Sequence, residues 1–113
     1  MSFQADEEVP VIAIVMGSDS DLATLQPGIR ILEDFEIDIE IQILSAHRTP
    51  NEMIEFAKNS ESKGLKVIIA GAGGAAHLPG MIASLTSIPV IGVPVHTKSL
   101  SGVDSMHSIL QMP

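Results

Sequence analysis

Four short apolar runs, each trailed by a stretch of helical character, constrain this chain more than any other feature. "VPVIAIVMGS" (9–18) is β-branched and ends in Gly-Ser, the pattern of a strand buried on both sides. "DSDLATLQPGIRILEDF" (19–35) follows, with Leu22, Leu25, Ile29, Leu32 and Phe35 at helical spacing. Pro27-Gly28 interrupts that stripe and predicts a kink or a shifted helix start. Ile37, Ile39, Ile41 and Ile43 then alternate with Asp38, Glu40 and Gln42, which predicts a strand with one polar face near a sheet edge.

The second half repeats the theme. Thr49-Pro50-Asn51-Glu52 matches a capping box with Pro at the first helical position. The helix it opens should turn Met53, Ile54 and Ala57 inward and stop at Gly64. "LKVIIAGAG" (65–73) reads as a third strand, and "HLPGMIASLTS" (77–87) as a helix opened by Pro79. "IPVIGVPV" (88–95) is a fourth strand and "LSGVDSMHSILQ" (100–111) a shorter fourth helix. Strand and helix in strict alternation imply an α/β fold, a parallel sheet with helices on both faces. A chain of 113 residues supports one such domain with one proper core.

In doubly wound sheets ligands gather beyond the carboxyl ends of the strands. Those ends are "GSDSD", "SAHRTP", "GAGGAAH" and "PVHTKSLSG", and the chemically suggestive residues collect there. Small hydroxyls and free amides at Gly17 to Asp21 can hold a phosphate, or can serve only as a helix cap. Asp21 could accept from sugar hydroxyls. The spacing is neither that of a dinucleotide fingerprint nor of a Walker loop. In "AGAGGAAHLPG" (70–80) the missing side chains allow backbone amides to approach a ligand closely, or allow tight helix packing. Lys98 and the Ser99 to Gly102 stretch read as a lid or as a surface connection.

His47 stands out because Arg48 follows it. An imidazole can move a proton near neutral pH, and a guanidinium beside it can grip an anion with two parallel hydrogen bonds. His96 and His107 read as solvated side chains. His47, His77 and His96 each follow a different strand, so a three-histidine metal site assembled across loops is an alternative.

Composition removes other classes. A net charge of -8 and 3% aromatics, with no Trp or Tyr, oppose nucleic-acid binding. With no cysteine there are no disulfides, zinc-thiolate sites or thiol catalysis. No apolar run reaches membrane-spanning length, and "MSFQADEEVP" has no basic stretch leading into an apolar one, so a soluble cytoplasmic protein is expected.

The strings "VMGSDSD", "SAHRTP", "GAGGAAHLPGM", "GVPV", "SLSGVDS" and "SILQMP", in this order, resemble the class I 5-(carboxyamino)imidazole ribonucleotide mutase family of purine biosynthesis. The resemblance runs from Val11 to Pro113. Class II relatives, which carboxylate aminoimidazole ribonucleotide with carbon dioxide, typically carry lysine at the Arg48 position and a different third loop. Arg48 and "GAGGAAHLPGM" therefore favour the mutase.

The resemblance implies a flavodoxin-like three-layer domain in a homo-octamer, acting on a small ribonucleotide without metal, ATP or organic cofactor. It implies His47 as the proton carrier for a carboxylate moved from the exocyclic nitrogen to a ring carbon. It implies Ser18, Asp21, Ser45, Arg48, Gly73, His77 and Leu78 as substrate-binding positions. Ser18 and Arg48 are expected on the phosphate and Asp21 on the ribose. Family members continue past "QMP" with a further strand and helices. The single domain of residues 1–113 is expected to lack these, which would leave its last strand as an edge and apolar surface open. A ribonucleotide-binding module without turnover and a metal hydrolase stand as alternatives.

Overall fold

The computed structural model describes residues 10–112. Its centre is β1 (Ile12–Met16), flanked on both sides in a four-stranded parallel sheet of order β2-β1-β3-β4. β2 is Ile39–Ile43, β3 Val67–Gly73 and β4 Val90–Val95. Each strand is a residue or more shorter than its apolar run, and Val9, assigned above to the first strand, lies outside the described residues. Register is uniform: Met16 stands opposite Ile43 on one side and Gly71 on the other.

A central parallel strand has two buried faces, and β1 feeds two cores. Ala13 and Val15 join Ile68, Ala70 and Ala72 beneath α2 (Pro50–Asn59) and α3 (Leu78–Ala83). α4 (Val103–Gln111) packs Ile109 against this same core. Ile14 and Met16 face the other way, onto Leu25 and Ile29 of α1 (Leu22–Asp34). Helices therefore cover both faces, three against one. Gly71 permits the α1 contact: a Cβ there would lie 3.0 Å from the Leu25 side chain. The strand order is that of the flavodoxin-like doubly wound class.

Two local expectations are corrected. α1 starts at Leu22, ahead of Pro27, and continues through it with the exposed proline in its interior. Pro27 therefore does not set the helix start. The capping box does not form either. Thr49 precedes α2 but makes no side-chain cap bond; its hydroxyl accepts from the Ser45 amide (2.9 Å) and donates to the Ser45 carbonyl (3.2 Å). Pro50 does sit in the first turn. α2 ends at Asn59, and turns carry the chain on to Gly64, whose φ of 92° is the left-handed geometry expected there.

Candidate active site

β1, β2 and β3 end side by side, and their following loops enclose a cleft of about 410 Å³. The chain winds from β1 outward to β2, then crosses back to β3, so the cleft lies at the sheet's switch point. The first loop contributes Gly17, Ser18 and Asp21, the second Ser45 to Arg48, and the third Ala72, Gly73, Ala75, His77 and Leu78. All eight residues that the family resemblance offers as site positions line it: Ser18, Asp21, Ser45, His47, Arg48, Gly73, His77 and Leu78.

Each loop is fixed by local chemistry. Ser18 caps a 3-10 turn at Asp19–Asp21, its hydroxyl accepting from the Ser20 amide at 3.3 Å. In the second loop the Thr49 hydroxyl and amide both close on Ser45, pinching the corner that carries His47 and Arg48. The Arg48 amide donates to Ser45 Oγ (3.0 Å), and its Nη2 reaches across to the Gly17 carbonyl (2.9 Å), joining loops one and two. Among the described residues no carboxylate forms an ion pair with Arg48.

His47 and His77 meet across the cleft. His47 Nε2 and His77 Nδ1 are 2.8 Å apart, with the rings edge-on. One ring must donate and the other accept, so the pair cannot keep this bond with both rings fully protonated. Asp21, half-buried in the first loop, has its carboxyl pushed up from its ordinary value. Burial is the main cause and the Asp19 charge adds to it, while a backbone hydrogen bond with Ser18 opposes it.

The fourth loop stands apart. His96 lines a separate recess with Pro94, Ser101, Gly102, Val103 and Met106, and Lys98 and His107 are exposed. The three-histidine alternative fails here: His47 and His77 come together without His96. Among the described residues no cluster of three or more His, Asp or Glu is placed to hold a metal. Gly17, Ala72 and Ala75 line the cleft as parts of loops the sequence had marked for their backbone; Ala46 was missed, because it contributes small surface rather than a reactive group. Among the described residues no helix is long and apolar enough to cross a membrane.

A doubly wound α/β domain with an imidazole pair, a guanidinium in no ion pair among the described residues and a glycine-lined wall at its switch point defines a small-molecule site equipped for proton transfer and anion binding. The chain belongs to the AIR carboxylase family, whose sequence pattern matches residues 11–113. It is 63% identical over 105 residues to the N5-carboxyaminoimidazole ribonucleotide mutase of Thermotoga maritima, covering 93% of this chain and 61% of that protein. It is 58% identical over 112 residues to the phosphoribosylaminoimidazole carboxylase of Candida albicans, covering 99% of this chain and 20% of that protein. The crystal structure of Treponema denticola PurE superposes with a TM-score of 0.82 at 31% identity, covering 92% of this chain and 66% of that one. The chain thus spans about 61% of the length of its Thermotoga relative.

Proposed function

We propose that the cleft catalyses the interconversion of 5-(carboxyamino)imidazole ribonucleotide and 4-carboxy-5-aminoimidazole ribonucleotide in purine biosynthesis. Protonation of the exocyclic nitrogen breaks its bond to the carboxylate and releases carbon dioxide. The ring carbon attacks that carbon dioxide, and the proton it then sheds returns to the base. The reaction is an isomerisation and consumes no cofactor. His47 carries the proton, and His77 holds the His47 ring through their hydrogen bond. Arg48 and Ser18 take the phosphate and Asp21 the ribose hydroxyls. Ser45, Gly73 and Leu78 shape the pocket, whose bare backbone lets a carboxylate approach closely and helps exclude water.

The observation that carries this reading is the meeting of His47 with His77 in one cleft with Arg48, whose guanidinium no carboxylate among the described residues neutralises. The cleft volume also suits a nucleotide-sized ligand. Incubation with the carboxyamino substrate should yield the carboxylated product, and His47→Asn should reduce kcat by about 10²–10⁴-fold. A His47→Asn variant at full rate would remove His47 from the chemistry. Saturable ribonucleotide binding with no product would favour a binding module. We further propose that the protein acts in the cytoplasm as a homo-oligomer, an octamer by family resemblance. Exposed Phe35, Ile91 and Leu110 supply apolar surface for such contacts, and the mass of the assembly in solution tests it.

A further inference from the structure

The third loop forms a cleft wall yet has almost nothing with which to hold itself. Gly73, Gly74 and Ala75 carry no polar side chain, and Gly74 sits at φ 67°, a geometry its own backbone does not enforce. The anchor comes from α4. Ser105 is fully buried; its hydroxyl accepts from the Gly74 amide at 2.8 Å and donates to the Val95 carbonyl at 2.7 Å. One hydroxyl thus joins the third loop to the end of β4. The start of the same helix is tied separately, by bonds that reach neither Ser105 nor Gly74. There Asp104 Oδ1 accepts from Thr97 Oγ1 at 2.8 Å, and that oxygen accepts from the Leu100 and Gly102 amides at 3.3 Å each.

We propose that Ser105, which does not line the cleft, is a positioning residue: through the Gly74 amide it sets the Gly73–Ala75 wall against which substrate binds. The helix after β4 thereby acts on a site to which its own loop contributes no lining residue. Ser105→Ala removes only the oxygen and frees that wall. Thr97→Val is the matched control, because it weakens the same helix start and leaves the Gly74 bond intact.

The inference rests on the proposed mutase reading for its kinetic arm, and amide exchange supplies an arm that does not. In Ser105→Ala, the Gly74 amide should exchange about tenfold faster while β1 amides keep their wild-type protection. KM for the carboxyamino substrate should rise about tenfold with kcat nearly unchanged. Thr97→Val should lower Tm and move neither readout. Wild-type protection of Gly74 in Ser105→Ala overturns the inference, as does a KM that rises equally in both variants. A wild-type chain without turnover would overturn the mutase reading, and Gly74 exchange would still decide the role of Ser105.

Discussion

At the scale of single residues, Asp21 links the site to stability. Its raised pKa means the folded chain holds this proton more tightly than the unfolded chain does. The stabilising contribution is therefore full below the unfolded value of ~3.9 and is lost as pH rises through the higher folded value. Asp21→Asn has no charge to bury. Its Tm relative to wild type should climb as pH moves from about 3 to about 7, and a constant difference would contradict the burial argument. The candidate residues were legible because the reactive side chains of this chain collect in its strand-end loops, His47, Arg48 and Asp21 among them. That His47 and His77 would touch was not legible, since they sit on loops from different strands and only the β1-centred register brings those loops together. Ser105 was illegible for another reason. It looks like any helix serine until the fold delivers Gly74 to it.

At the scale of elements, α1 carries two local inconsistencies that can be improved. Its end is a Schellman motif: Ile37 donates to the Leu32 carbonyl and Glu36 to that of Glu33. Glu36 occupies the left-handed position at φ 61°, where glycine carries no Cβ penalty. Glu36→Gly should raise stability by about 0.5–1 kcal/mol, read from denaturant midpoints. Gly28, in contrast, lies inside the helix, and a Cβ there would meet nothing within 4 Å. Gly28→Ala should therefore gain about 0.5–1 kcal/mol by restricting the unfolded chain. Loss of stability in Gly28→Ala would point to a contact beyond this chain. Element identity followed directly from periodicity, because strands and helices impose different spacings on apolar residues. The capping box did not survive because Thr49 has one hydroxyl and two claims on it, and the tight Ser45–Thr49 corner takes it.

At the scale of the molecule, the two faces of the sheet are covered unequally. Ile68, on the three-helix face, is fully buried, whereas Ile91, beside Ile69 on the face that α1 covers alone, is 52% exposed. Ile68→Ala should cost about 2–5 kcal/mol. Ile91→Ala should cost far less in dilute monomer, and a cost that grows with protein concentration would report association over that face. The doubly wound class was readable from alternation, but the lopsided coverage was not, because helix order does not say which side each crossover takes. The crossover from β2 to β3 has a further consequence, in time rather than space. β1 pairs with β3 across a long stretch of chain, Ile12 opposite Val67, and this pairing alone brings the third loop beside the first two. Such distant partners meet late and slowly in folding. The chain emerging from synthesis can hold β1, α1 and β2 in place and still have no cleft; ligand affinity should appear all at once, when β3 pairs with β1, and offer no foothold to an intermediate that lacks this pairing.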